Sequence, residues 1–222
     1  MLQRLRYWNR PFVGDCPWCL RKIRPYVILV TAVLIFSYRE GLLNAVGRLM
    51  APNENGKADL LILEGGDSID ENMLAQAASS VMHGKCAHLM AIVHKNDRRY
   101  NGDDRRVISN SYLKRLGLKE DQFSVMETPS RHPITLTEAR MVLEEASRRG
   151  ARRAIIETDG FHERRSYVIY KAVGKYYNIS VIPETYFIAY QPDNWWKVGS
   201  GVKELFVEVI KLTYYYGMRY IP

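Results

Sequence analysis

A turn that follows an apolar run contains the residues of this chain best suited to chemistry. Ala154-Ile155-Ile156 predicts a short buried strand, and Thr158-Asp159-Gly160-Phe161-His162-Glu163-Arg164-Arg165 follows it directly. His162 and Arg165 are three residues apart, a spacing that places both on one face of a helix. An imidazole and a guanidinium beside the partial positive charge of a helix amino terminus form a site suited to an anion. The alternative is a capped helix with ordinary surface charges.

Two glycines follow the first predicted strand, in the segment Glu64-Gly65-Gly66-Asp67. Glycine lets the backbone turn sharply and approach a ligand closely, and successive backbone amides can surround an anion. The segment lacks both the third glycine of a dinucleotide-binding fingerprint and the Gly-Lys-Ser/Thr of a P-loop. It therefore predicts a ligand-binding turn of unspecified ligand, with an ordinary tight turn as the alternative.

Polar residues also follow the second and third predicted strands. His94 begins a charged stretch that suits either a ligand contact or a solvated turn. Glu127 and Ser130 follow the third strand. Thr135 and Glu138 then have the spacing of a capping box, which predicts Thr135 as the N-cap of a helix. This cap is an alternative to a catalytic role for Glu138.

Short apolar segments alternate with amphipathic segments of helix length, and this alternation predicts the elements that position these residues. The predicted strands are 59–63, 89–94, 122–126, 153–157 and 179–183, and the predicted helices are 71–82, 105–116, 137–149, 163–176 and 202–216. Five strands with intervening helices predict an α/β fold with a parallel, doubly wound sheet. Ligands of such sheets bind beyond the carboxyl ends of the strands, where the residues above are expected to meet.

The basic charge of the chain is concentrated at its N-terminus. The net charge of the 222 residues is +8, and residues 1–50 contain eight bases and two acids, or +6 of that total. A body that is nearly neutral argues against a nucleic-acid partner, which would require a basic face. Three cysteines support no disulfide framework, and the pair Cys16 and Cys19 lacks further zinc ligands nearby, so no metal site is predicted.

The longest apolar run, 26–38, is preceded by six bases. We expect a basic segment at 1–24, a membrane anchor with an amphipathic continuation at 25–49, and an α/β domain at 50–222. Because positive charge stays on the cytoplasmic side, the N-terminus is predicted inside and the domain on the outer face. The run alone reaches only about 20 Å, and the alternative is a buried first helix of a soluble domain.

The order of these motifs resembles the YdcF/SanA/ElyC-like family of bacterial envelope proteins. The segment from Lys57 through Gly66 is similar to the opening of that family, and Glu127, Ser130 and residues 135–139 are similar to its Glu, Ser and Thr-x-Glu segment. Its Thr, His and Arg-rich helix start is matched at 158–165. The chain departs from the family at 93–97, where Ser-Gly-Gly is usual, and at Ala139, where Asn is usual.

The resemblance implies a Rossmann-like three-layer α/β/α domain, a role in envelope or cell-wall biogenesis, and the undecaprenyl lipid carrier or S-adenosylmethionine as possible ligands. We expect a membrane-anchored factor that binds a phosphorylated or nucleotide-like ligand at the carboxyl edge of its sheet. In an enzyme, His162 would be the acid–base and Arg165 the anion clamp, with Glu138 orienting the substrate or taking a proton. The ligand is expected to contact residues Gly65, Gly66, Asp67, Glu127, Ser130, Thr137, Thr158 and Arg165. The alternatives are a soluble cofactor- or nucleotide-binding domain and a non-catalytic envelope scaffold.

Overall fold

The computed structural model of the protein describes residues 17–65, 70–94 and 105–221, with side chains from residue 24 onward except at 105–108. From residue 58 onward, its strands and α-helices follow the predicted order and lie within a few residues of the predicted bounds. They are α1 Pro17–Met50, β1 Ala58–Glu64, α2 Glu71–Met82, β2 Cys86–His94, α3 Arg105–Arg115, β3 Phe123–Thr128, α4 Ile134–Arg148, β4 Arg153–Asp159, α5 His162–Tyr177, β5 Ser180–Tyr186, a short 3₁₀ turn at Trp195–Lys197, and α6 Gly199–Gly217.

The five strands form one parallel sheet in the order β3-β2-β1-β4-β5. The predicted α/β fold is therefore confirmed. The chain builds the sheet outward from β1 to β3 and then crosses back to β4, so the strand order reverses between β1 and β4. In doubly wound sheets generally, such a reversal marks the crevice beyond the carboxyl ends of the two strands where ligands bind. Glu64 ends β1 and is paired in register with Thr158 of β4.

The residues of β1 alternate between the two faces of the sheet, as the two-residue period of a strand requires. Leu60 and Ile62 pack with α4 and α5, whereas Leu61 and Leu63 pack with α2. Both faces are covered by helices, which gives the three-layer arrangement. Because Glu64 continues the even-numbered series, it lies on the face that α4 and α5 cover.

The helix α4 begins earlier than the capping-box pattern predicts. Its N-cap is Pro133, which makes no side-chain cap hydrogen bond, and its first helical residue is Ile134. The prediction of Thr135 as the N-cap is therefore wrong. Thr135 lies inside the helix and is buried, because its hydroxyl takes part in a contact with α5 described below.

The residues divide into two compact units, 1–42 and 43–222. Within the second unit, the last two turns of α1 join a small apolar cluster with the 3₁₀ turn and the start of α6. Its members are Leu43, Val46, Met50, Ala51, Phe161, Phe187, Tyr190, Trp195, Trp196, Val198, Val202 and Leu205. Trp195 Nε1 donates to the Leu43 carbonyl over 3.0 Å, which fixes the point where α1 enters the domain.

In the first unit, α1 is long and apolar enough to cross a membrane. The most apolar stretch of 18 residues within Arg24–Met50 has a mean hydropathy of 1.6, and the side chains of the apolar run are exposed, with Tyr26 and Phe36 at 70% and 65%. This exposure does not fit the alternative of a buried core helix. The helix has 34 residues, and therefore extends beyond the short apolar run from which the sequence predicted an anchor.

Candidate functional site

A cluster of buried polar side chains lies beyond the ends of β1 and β4, on the face that α4 and α5 cover. Four elements contribute to it: β1 through Glu64, α4 through Glu138, α5 through His162 and Arg165, and α6 through Glu208. Apart from His162 and Arg165, which are three residues apart on α5, these residues are distant in the sequence, so long-range packing brings them together. We call this set the carboxyl-edge cluster.

His162 is at the centre of the carboxyl-edge cluster. Its Nε2 atom lies 3.4 Å from Glu64 Oε1 and 3.2 Å from the Ser166 hydroxyl. Its Nδ1 atom lies 2.7 Å from Arg165 Nη2 and 3.5 Å from Glu208 Oε2. Because Arg165 can only donate, its contact requires an unprotonated Nδ1, and the ring proton is then on Nε2, toward Glu64.

Burial and the charge of Arg165 oppose a second proton on His162, but the carboxylates of Glu64 and Glu208 raise the pKa of His162 to about 9. The ring can accept that proton on Nδ1 only when Arg165 Nη2 turns away and Glu208 takes its place. Protonation of His162 and the position of Arg165 are therefore linked. The side chain is 17% exposed, so the ring is accessible from solvent at the outer side of the cluster.

Arg165 is held by the protein's own acceptors. Its Nε donates to Glu208 Oε2 over 2.8 Å, and its Nη1 donates to the Thr135 hydroxyl. Burial acts against the charge of Glu208, yet hydrogen bonds and the positive charges of His162 and Arg165 hold its pKa well below the usual range. The pair is thus ionic and buried. An anion clamp by Arg165, as the sequence predicts, would require a ligand to compete with Glu208.

Glu138 and His94 form a second pair at the same edge. His94 Nε2 lies 3.4 Å from Glu138 Oε2, and Glu138 is only 2% exposed. Burial, and then the negative charge of Glu64, raise the pKa of Glu138 to about 7, although His94 partly offsets this. A carboxyl group with a pKa near neutrality is suited to proton transfer. The predicted helix-capping use of Glu138 is not what the structure shows, because α4 begins at Ile134.

The amino terminus of α5 is closed by a side chain of α6. The Phe161 amide donates to Glu204 Oε1 over 2.8 Å. Gly160 precedes it with a φ of 58°, and a Cβ there would collide with the Glu204 carboxylate and the Tyr190 hydroxyl. This backbone amide is therefore already bound to a carboxylate of the protein, where the sequence predicts an anion.

Several buried polar atoms near the carboxyl-edge cluster have no hydrogen-bond partner within the described part of the chain. They are Glu64 Oε2, Thr128 Oγ1, Glu163 Oε1 and the Tyr170 hydroxyl. Buried polar groups in proteins are nearly always satisfied, so each such atom requires a reason. Glu64 Oε2 is the most informative, because it ends β1 at the crevice and its side chain is 2% exposed.

The other residues predicted to bind a ligand are spread over several environments. Gly65 is half-buried at the end of β1, while Gly66 and Asp67 lie outside the described residues. Thr158 is fully buried and donates to Glu163 Oε2 over 3.0 Å. Glu127 and Thr137 are half-buried and Ser130 is exposed. Among the described hydrogen bonds and ion pairs of the cluster, none involves Glu127, Ser130 or Thr137.

Glu208 is the cluster residue that the sequence did not predict. It lies on the buried stripe of α6 with Leu205, Leu212 and Tyr215, at helical spacing. A carboxylate on an apolar stripe is a signal of a buried partner, since unpaired charges are very costly to bury. Of the cysteine pair, Cys16 lies outside the described residues, and Cys19 is described in its backbone only. Among those described, no group of His, Cys, Asp and Glu side chains is arranged to hold a metal ion.

The fold and cluster together define a Rossmann-like α/β domain with a buried polar cluster at its topological switch point. Comparison with protein-family models, with curated proteins and with solved structures finds no match to this chain. The resemblance to the YdcF/SanA/ElyC-like family therefore stays a prediction that depends on the quoted motifs.

Proposed function

We propose that this protein is a membrane-anchored factor of bacterial cell-envelope biogenesis that binds a phosphorylated, nucleotide-like ligand at the carboxyl edge of its sheet. The envelope role comes from the family resemblance alone. The binding role has support from the chain's own residues, above all from Glu64. In the same proposal, α1 crosses the inner membrane with the N-terminus in the cytoplasm.

The observation that carries the proposal is Glu64 Oε2, which is buried at the end of β1 beside β4 and has no hydrogen-bond partner among the described residues. A buried carboxylate oxygen at this position is suited to accept a hydrogen bond from a ligand hydroxyl, as acidic residues do with ribose in other doubly wound sheets. The sequence predicts a ligand-binding turn at Gly65 and Gly66, directly after Glu64, and backbone amides of such a turn would suit a phosphate of the same ligand. A nucleoside with a phosphate satisfies both requirements.

The residues around Glu64 support proton transfer on such a ligand. The negative charge of Glu64 acts on both His162 and Glu138, and the pKa of Glu138 is about 7. His162, at 17% side-chain exposure, is the more accessible of the two and would exchange protons with the ligand. Glu138 would hold or return the proton, because His94 stabilises its charged form.

A non-catalytic scaffold is the second candidate, and a specific observation favours it. Arg165 and the Phe161 amide, which would grip an anion, already bind Glu208 and Glu204. Because carboxylates of the protein already occupy these anion-binding groups, the cluster can serve to hold α5 and α6 together without a ligand. The two candidates differ in whether any small molecule binds at Glu64.

The test is calorimetric titration of the full chain in lipid nanodiscs with adenosine monophosphate, S-adenosylmethionine and farnesyl phosphate as separate probes. We expect one probe to bind the wild type, and the isosteric change Glu64→Gln to weaken it about tenfold or more, since one hydrogen bond to a charged group contributes about 1.5–3 kcal/mol. Glu144→Gln, on the exposed face of α4, is the matched control and should bind normally.

Failure of all three probes to bind the folded wild type would contradict the proposal and favour the scaffold. Equal binding by the wild type and Glu64→Gln would place the ligand elsewhere. Alkaline carbonate extraction tests the anchor separately, because a transmembrane helix stays with the lipid under conditions that release peripheral proteins.

A further inference from the structure

The helix α6 has a second face that the domain does not cover. Phe206, Ile210 and Tyr214 follow one another at intervals of four residues, and their side chains are 61%, 68% and 53% exposed. Residues at this spacing form one continuous stripe along a helix. Val207 widens the stripe. We call these four residues the α6 stripe.

The acidic side chains of α6 face the domain, and its lysines lie at the surface. Both acids, Glu204 and Glu208, turn toward the domain, where they bind the Phe161 amide and Arg165. The lysines remain at the surface: Lys203 is exposed one turn before the stripe, and Lys211 is exposed at its margin, where its Nζ donates to Glu208 Oε1 over 2.8 Å. The outer face is therefore apolar, with two lysines along it and no acid exposed there. This is the composition of helices that lie in the interface of a membrane, where lysines meet anionic headgroups.

The start of α6 lies close to the residues that follow the proposed membrane segment. Residues 43–50 continue α1 without a break, and within the domain they pack beside the start of α6 through Val46, Val202 and Leu205. Trp195 Nε1 donates a hydrogen bond to the Leu43 carbonyl at this junction. If residues 24–42 lie in the bilayer, Val46, which packs beside the start of α6, follows the membrane segment by only four residues.

We propose that the α6 stripe lies in the headgroup region of the bilayer that α1 crosses, so that α6 is an interfacial helix. This inference depends on the proposed membrane anchor, but not on the proposed ligand. Its consequence is geometric: the outer side of α6 is fixed to the membrane while its inner side holds Arg165 and closes the amino terminus of α5. The carboxyl-edge cluster is then kept at a set height above the lipid.

The test uses the full chain with Cys16 and Cys19 replaced by Ser, in nanodiscs that contain one protein copy in phosphatidylcholine and phosphatidylglycerol. An environment-sensitive fluorophore is attached at Phe206→Cys or Ile210→Cys. The control site is Tyr176→Cys on α5, a position that is 83% exposed. We expect a blue-shifted emission and severalfold stronger quenching by brominated lipid at 206 and 210 than at 176.

Emission at 206 and 210 that matches the control, from a chain that resists carbonate extraction, would overturn the interfacial helix and leave the anchor intact. A chain that carbonate releases would overturn the anchor and this inference together. Shielding at 206 and 210 that brominated lipid does not quench, and that appears only in nanodiscs loaded with two copies, would assign the stripe to a second copy of the chain and would likewise overturn the proposal.

Discussion

Arg165 Nε donates to Glu208 Oε2 over 2.8 Å, and both side chains are almost fully buried. This pair joins α5 to the last helix of the chain and connects the carboxyl-edge cluster to the α6 stripe. Burying two charges is favourable only if each keeps its partner, so the pair makes the position of α6 and the state of His162 depend on each other.

Replacing Glu208 by Gln should destabilise the domain by about 3–5 kcal/mol, because Arg165 would remain buried without a counter-charge. Urea unfolding of the full chain in detergent micelles, followed by tryptophan fluorescence, measures the change. Glu120→Gln is the control: Glu120 pairs with Lys114 at the surface, with side-chain exposures of 81% and 53%, and its loss should leave the midpoint nearly unchanged. Similar decreases in the free energy of unfolding for both variants would mean that the buried Arg165–Glu208 pair contributes no more to stability than the surface pair.

Glu64→Gln should lower the pKa of His162 from about 9 by about one unit or more. Burial and Arg165 already oppose protonation of the ring, and the variant removes one of the two carboxylates that favour it. Histidine-selective NMR titration measures the pKa directly. The same titration of Glu144→Gln should reproduce the wild-type curve. An unshifted His162 in Glu64→Gln would show that Glu208 alone controls the ring.

The raised pKa of Glu157 predicts that the domain loses stability as the pH rises from 4.5 to about 8. Burial, and then the charge of Glu184, raise the pKa of Glu157 to about 8, although Lys85 partly offsets this. The folded state therefore binds more protons than the unfolded state between the model-peptide value of 4.5 and 8. The contribution of protonated Glu157 is complete below pH 4.5 and is lost as the pH rises through 8, by up to about 1.4 kcal/mol per pKa unit.

The variant Glu157→Gln should flatten this part of the pH profile and be more stable than the wild type at pH 8. Its amide cannot ionise, so the cost of a buried charge disappears. Unfolding free energies of both proteins at several values between pH 5 and pH 9 check the sign. Parallel profiles would show that Glu157 does not ionise in this range.

Gly47→Ala should destabilise the domain by about 1–3 kcal/mol, the usual cost of overpacking. A Cβ at Gly47 would collide with the Pro192 carbonyl and lie 3.0 Å from Trp195 Cδ1. Gly199→Ala, in the first turn of α6, adds a methyl group to open space and should be neutral or slightly stabilising. Thermal unfolding of the two variants compares them, and an unaffected Gly47→Ala would mean that residues 43–50 do not dock as described.

The sequence predicted every strand, because each is a short apolar segment between turn residues. Hydrophobic periodicity predicts which residues are buried but not which of them are in contact. It therefore did not predict the pair of Arg165 on α5 and Glu208 on α6. The start of α4 was missed for a local reason. Thr135 and Glu138 have the spacing of a cap, but tertiary contacts turn Thr135 toward Arg165 and Glu138 toward His94.

The pairing of Arg165 with Glu208 also sets an order of events during synthesis. Arg165 leaves the ribosome 43 residues before its counter-charge. A nascent chain that has completed all five strands still lacks both Glu204 and Glu208, and therefore has an unclosed α5 terminus and an uncompensated guanidinium. The last helix is thus the step that completes the cluster. A protein cut short by translation arrest or C-terminal proteolysis would keep its sheet and lose its site.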